Sequence, residues 1–277
     1  MHWEKRTSGD NGVRGAAGAH NRRMHVAAVP LGRPLPIDSA LTAWSAREFA
    51  VERPRVAIPR AQVQLVVRFG PAARDGLDIH VLGAQQTVRR KVVRGVHRSL
   101  VARCGLGSCA QVFGVPASEL AGRIAPLESL WGDAATHALR ERLAQAGDVA
   151  QATALLDDAV ARRIDAAVPC DGRMRVVAEA ARQLPNASVR AVADGLGLSE
   201  RHLRRLFQQA VGMSPKRFER IARFDRAIRA ARENAGATWA SIAAATGYYD
   251  QAHLIDDFRA IAGATPGAFL RELGETS

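Results

Sequence analysis

VADGLGLSERHLRRLFQQAVGMSPKRF, residues 192–218, recurs as IAAATGYYDQAHLIDDFRAIAGATPGAF, residues 242–269. A shift of 51 superimposes His202 on His253, Leu203 on Leu254, Phe207 on Phe258, Gly212 on Gly263, Ser214 on Thr265, Pro215 on Pro266 and Phe218 on Phe269. Upstream of the turn the shift is 50, pairing Ala193 with Ala243 and Gly197 with Gly247, so the second turn carries one extra residue. Each copy predicts a helix, a glycine-containing turn and a second helix, the geometry that lays a recognition helix in the DNA major groove.

Each unit supplies its own small core. Val192, Leu196, Leu203 and Phe207 fall on one helical face in copy one, and Ile242, Leu254 and Phe258 are their counterparts in copy two. Gly197 and Gly247 allow a turn with positive φ. Ser199 and Asp250 are suited to cap the second helix of each unit, because their side-chain oxygens can accept from an unpaired backbone N–H. Gly212 and Gly263 are expected to end those helices, with Pro215 and Pro266 in the first turn of the next.

The outward residues of the first recognition helix are Glu200, Arg201, Arg204, Arg205, Gln208 and Gln209. Arginine pairs bidentately with guanine, glutamine with adenine, and both reach phosphate. A charged helix face is ordinarily just solvated. Its place as the second helix of such a unit reverses that expectation for Arg201, Arg204 and Arg205. The corresponding set in copy two is Gln251, Ala252, His253, Ile255 and Asp256.

Between the units, residues 215–234 predict one connector helix, roughly 30 Å long at 1.5 Å per residue. That approaches the separation of about 34 Å between successive major grooves. Phe218, Ile221, Phe224, Ile228 and Ala231 give it a buried stripe. Charge is divided unequally: residues 173–232 carry a net +9 and residues 233–277 a net −4. Phosphate neutralisation dominates affinity, so the first unit is expected to supply most of the grip. The acidic second unit leaves an alternative open, in which it faces a protein such as RNA polymerase.

With the repeat, the G-Y-Y-D-Q-A-H-L-I-x-D-F segment (Gly247–Phe258) and the A-G-x-T-P-x-x-F ending (Ala262–Phe269), the last hundred or so residues resemble the DNA-binding domain of the AraC/XylS family of bacterial transcription regulators. That resemblance implies promoter binding in successive major grooves. Carried over by position, its base-contacting sites fall on Arg201, Arg204 and Arg205, and on Gln251, Ala252, His253 and Asp256; Gln208, exposed on the same recognition helix, completes the expected DNA-binding set. Asp256 departs from the basic or small polar residue often found there, and an acid beside phosphates is repelled. The resemblance also implies RNA polymerase as a partner, an N-terminal domain that binds a small-molecule effector or a second copy, and a cytoplasmic, nucleoid-associated location.

The expected fold class is α+β: a β-rich N-terminal domain with a helical segment, then an all-α domain of two helix-turn-helix units, at about 188–211 and 239–262, joined by the connector. Residues 1–24 read as a disordered lead, with Met24 as a candidate true start. The regulatory domain is placed at 25–168 and the DNA-binding domain at 173–277, with Pro169–Gly172 as a hinge. Val63–Phe69, Asp78–Leu82 and Leu100–Cys104 are strand-like, and helices are expected from residue 116 to 165. The segments Phe113–Leu120 and Pro126–Asp133 resemble, more weakly, a β-rich domain found ahead of this DNA-binding domain in some family members.

The formal net charge of +12 points to a polyanionic partner. No apolar run reaches the length of a membrane span, and no secretory signal opens the chain. Cys104, Cys109 and Cys170 fit a reducing compartment. Cys104 and Cys109 have only His97 and Cys170 as loose co-ligands, so no metal and no cofactor is expected. His80 lacks any partner pattern, and Trp131 is read as a core or capping residue ahead of a stacking platform. The enzyme class, a methyl-accepting DNA-repair protein, requires a reactive cysteine in a P-C-H-R-like segment that is not present. The chain is therefore expected not to be an enzyme.

Overall fold

The computed structural model describes residues 29–31, 41–49, 53–71, 73–93, 97–167, 172–234 and 236–276. The expectations for the lead at 1–24, for Cys170 and for most of the hinge fall outside the described residues. The N-terminal half contains strands β1 (Val29–Leu31), β2 (Leu41–Phe49), β3 (Arg53–Ala57), β4 (Gln64–Phe69), β5 (Leu77–Leu82), β6 (Arg89–Val93) and β7 (His97–Cys104). Short helices α1 (Cys109–Phe113) and α2 (Ala117–Leu120) follow, then β8 (Ile124–Pro126), α3 (Glu128–Trp131), α4 (Asp133–Ala144) and α5 (Val149–Asp165). The C-terminal half is helical: α6 (Arg173–Gln183), α7 (Val189–Gly195), α8 (Glu200–Val211), α9 (Pro215–Glu233), α10 (Trp239–Thr246), α11 (Gln251–Ala262) and α12 (Pro266–Thr276). The α+β class is as expected.

The main sheet is antiparallel in the order β1-β2-β7-β4-β5-β8, and β3 pairs with β6 as a separate two-stranded ribbon. Alternation sets the buried face of the sheet: Leu77, Ile79 and Val81 point inward from β5, between Asp78, His80 and Leu82. Helices α1, α4 and α5 cover that face with Val112, Phe113, Leu139, Leu143, Leu156 and Val160. Trp131 is buried in this core, donating Nε1–H to the Val112 carbonyl at 2.9 Å. It is thus a core residue. Strand β8 interrupts the stretch expected to be helical; its proline is accommodated because β8 lies at a sheet edge.

Burial also defines the two cysteines. Cys104 is fully buried and Cys109 nearly so, and both are free thiols. Burial, with Glu119 adding to it, pushes the Cys109 thiol up to about 12, and burial drives Cys104 higher still. Thiolate, the reactive and metal-binding form, is suppressed at both.

The C-terminal half holds two further cores. One gathers Val177, Ala180, Leu184, Val192, Leu203, Phe207 and Ile221 around α7 and α8. The other gathers Phe224, Ile228, Ile242, Leu254, Phe258, Phe269 and Leu273 around α10 to α12. Helix α9 serves both, Ile221 on one side and Phe224 on the other. Each core also takes residues from the N-terminal half: Ala84, with Ala61 and Leu106, joins the first, and Val56, Ile58 and Val88 join the second.

Candidate nucleic-acid interface

The first unit is α7 and α8. Ser188 caps α7 by accepting from the Ala191 N–H, and Ser199 caps α8 by accepting from the His202 N–H, each at 3.2 Å. Gly197 turns the chain at φ 67°, where a Cβ would be strained. Helix α8 then presents Leu203, Leu206, Phe207 and Val211 to the core. Arg201, Arg204, Arg205 and Gln208 are exposed along the opposite face, at the i, i+3, i+4, i+7 spacing of a single stripe. Arg204 is held by the carboxylate of Glu200, an exposed i,i+4 pair contributing about 0.3–0.5 kcal/mol. So weak a restraint yields readily to a phosphate. Gln209 is exposed but lies off that stripe, on the wall of a cleft beside the N-terminal half.

The second unit repeats the scaffold. Thr238 caps α10 through the Ser241 N–H at 3.2 Å, and Asp250 caps α11 through the His253 N–H at 2.7 Å. Gly247 sits at φ 84° between them. Gln251, Ala252, His253 and Asp256 are all exposed, whereas Ile255, expected to face outward, is half-buried at the edge of the second core. The His253 ring meets Tyr248 edge-on at 5.3 Å, and Asp256 lies 3.7 Å from Arg259. The extra residue of the second turn falls in Tyr248-Tyr249: Tyr248 is buried and Tyr249 is 93% exposed.

Beneath the second unit is a polar cluster that the repeat does not reveal. Asp257 is buried, and its Oδ1 accepts from Arg220 Nε of α9 at 2.6 Å. Arg223 lies over the Tyr248 ring at 4.9 Å and donates to the Gly247 carbonyl at 3.1 Å; Arg226 donates to the Thr246 carbonyl at 3.3 Å. Burial first, then the Asp257 carboxylate, push the Tyr248 phenol above its ordinary range, so it stays neutral. The signal was present in the sequence: Asp257 occupies the core face shared by Leu254, Phe258 and Ile261, where an acid demands a partner. The Ser214 cap of α9, accepting from the Arg217 N–H at 3.3 Å, was likewise readable and missed.

Two of the acids of residues 233–277, Asp257 and Glu272, are compensated by arginines from outside that stretch, whereas Asp250 and Asp256 stay exposed. Asp250 caps a helix, Asp256 lies beside Arg259, Asp257 pairs with Arg220, and Glu272 pairs with Arg90 of β6. Among the described residues no group of three or more His, Cys, Asp or Glu is placed to hold a metal ion, and no helix is long and apolar enough to cross a membrane.

Two such units built on one shared helix define a double helix-turn-helix module. Residues 192–272 match the family model described as "Helix-turn-helix domain". The match takes in most of α7 and all of α8 to α11. Among curated proteins none matches the chain. Among solved structures the chain is similar to ToxT from Vibrio cholerae, at 9% identity over 84% of this chain and 98% of that one, with a TM-score of 0.43. It is similar also to ToxT bound to (E)-4-(8-methylnaphthalen-1-yl)but-3-enoic acid, at 9% identity over 85% of this chain and 100% of that one, TM-score 0.43.

Proposed function

We propose that this chain is a sequence-specific transcription regulator that reads promoter DNA in two successive major grooves. The observation that carries this is the stripe Arg201, Arg204, Arg205 and Gln208, exposed on the second helix of a capped helix-turn-helix unit. Helix α9, with 19 residues, spans roughly 28 Å, close to the groove repeat of about 34 Å. The second unit then offers Gln251, Ala252 and His253 to the next groove, while Asp256 is repelled by phosphate. Binding is therefore dominated by the first unit. Since Asp257 and Glu272 are paired with arginines outside residues 233–277, about half of that stretch's net charge is compensated, and it does not by itself favour a polymerase-facing role.

The N-terminal half, residues 25–168, acts as the regulatory part. A cleft of about 870 Å³ separates it from α6 and α8, lined by Cys109, Gln111, Arg163, Arg173, Met174 and Gln209 among others. An apolar effector with an anionic group suits that lining, and it would press on the back of α8, where Leu206 and Ala210 form part of the wall.

The test is a mobility shift and footprint of the full chain on sites selected from random DNA. Arg204→Ala/Arg205→Ala is expected to abolish specific binding at physiological salt and to lower the salt slope by up to about two. Normal retardation by that variant overturns the assignment of α8 as the recognition helix.

A further inference from the structure

The N-terminal half touches both recognition helices at the same repeat-equivalent place, the C-terminal cap. On α8 the contact is steric: a Cβ at Gly212 would lie 2.7 Å from the Ala117 carbonyl oxygen of α2. On α11 the contact is polar. The Val88 N–H donates to the Ile261 carbonyl at 2.8 Å, and Arg90 Nη2 donates to the Ala262 carbonyl at 2.8 Å. Arg90 also holds Glu272 of α12 bidentately, at 2.5 and 2.8 Å.

A single short segment, residues 83–90, joins these two anchors. At its start Gly83 packs so tightly on α2 that a Cβ there would fall 1.6 Å from the Leu120 carbonyl oxygen. Ala84 accepts from the Gly122 N–H at 2.8 Å, and Arg89 donates back to the Gly122 carbonyl. The Gln85 N–H donates to the Arg60 carbonyl at 2.8 Å, tying the segment to the chain leaving β3. Ala84 belongs to the core of the first unit and Val88 to that of the second. Five residues, Ala84 to Val88, held at both ends by hydrogen bonds, bridge the two cores outside the connector α9, beside the neighbouring stretch from Ile58 to Ala61.

We infer that residues 83–90 form a strut that fixes the separation and rotation of the two helix-turn-helix units, with Arg90–Glu272 as its outer pin, and so sets which half-site spacing the protein accepts. This rests on the proposed binding to successive grooves. One added base pair displaces a half-site by about 3.4 Å and rotates it by roughly a tenth of a turn. A pair of units joined by one helix accommodates that by bending at the ends of α9. A pair joined also by the strut must break contacts at the α11 cap to do so. Arg90 is here a positioning residue, since its partners lie within the chain, at the cap and in α12, away from the exposed stripe of α8.

The experiment uses the full chain and a site obtained by in vitro selection, remade with the distance between half-sites altered by one base pair in each direction. Wild type is expected to prefer the selected spacing by about tenfold or more; R90E and E272R should each reduce that preference to about threefold or less. Affinity for the selected spacing changes little, because the α8 contacts are untouched. The exchange R90E/E272R restores the preference in part, since it remakes the ion pair and leaves the Ala262 carbonyl without its Arg90 donor. Single variants that discriminate as wild type does, or an exchange that restores nothing, overturn the strut. A wild-type footprint of only one helical turn overturns the two-groove reading instead.

Discussion

Replacing Arg220 with methionine removes the counter-charge of Asp257 while keeping much of the side-chain volume. The Asp257 side chain is 5% exposed and that of Arg220 33% exposed. The two ends of this pair are therefore unequal. A carboxylate left behind by R220M stays buried, whereas an arginine left behind by D257N is already one-third exposed. Breaking a buried pair costs about 3–5 kcal/mol, and the partial exposure of Arg220 argues for the low end, about 3. D257N retains an acceptor for Arg220 and costs about 1 kcal/mol. Converting Arg220→Met together with Asp257→Leu removes both charges and recovers most of the loss.

The effect is local, because α11 belongs to the core of the second unit and α8 to that of the first. Hydrogen-exchange mass spectrometry on the full chain reads it directly, with α8 as the internal control. In R220M, amides of α11 are expected to open about a hundredfold more often, those of D257N less than tenfold, and those of α8 as in wild type. Equal protection of α11 in R220M and D257N would refute the argument from unequal burial. Equal loss in α8 and α11 would show that the two units do not open separately.

Asp256→Arg exchanges an acid facing the proposed groove for a base, so affinity should hold or tighten, with a salt slope steeper by about 0.9; a loss of more than threefold shows that Asp256 makes a required contact. Iodoacetamide at pH 8 should leave Cys104 and Cys109 unmodified in the native protein and label both in denaturant, and native labelling of either within minutes contradicts their burial. His80 has its pKa lowered by burial, then by Arg68, against the opposing pull of Asp78 at 3.3 Å. The folded state thus favours neutral imidazole, so this contribution is complete above the unfolded value near 6.5 and is lost as pH falls below it. His80→Gln should flatten the stability profile between pH 6.5 and 5; an unchanged slope removes His80 as its source.

The helices of the C-terminal half were legible nearly to the residue because their determinants are local. Ser199 and Asp250 cap as their position demands, Gly212 and Gly263 end helices at φ 81° and 67°, and Leu203, Phe207, Leu254 and Phe258 bury at helical spacing. What escaped depends on distant partners. Nothing near Arg90 in sequence announces Glu272, 182 residues away, and nothing in the spacing of Gly83 announces a carbonyl of α2 against it. Strand β8 is three residues long and held by pairing with β5, so its own sequence carries little signal. Net charge misled in its own way: a sum over residues 233–277 counts Asp257 and Glu272 as though they faced outward.

The asymmetry of the repeat takes a different form once those partners are known. The first unit has exposed arginines on its recognition helix and few polar ties beneath it. The second has a single exposed arginine on α11, Arg259, which lies beside Asp256, but is tied twice, by the Arg220–Asp257 pair to α9 and by Val88 and Arg90 to the N-terminal half. A unit with little electrostatic attraction contributes to recognition only if it is already in place when the first unit docks, since ordering it on the DNA would consume the small free energy its contacts return. Rigid placement is what the buried pair and the strut provide. On this view, loosening the second unit should erode discrimination among sites more than affinity for the best one, whereas stripping α8 of Arg204 and Arg205 should remove affinity altogether.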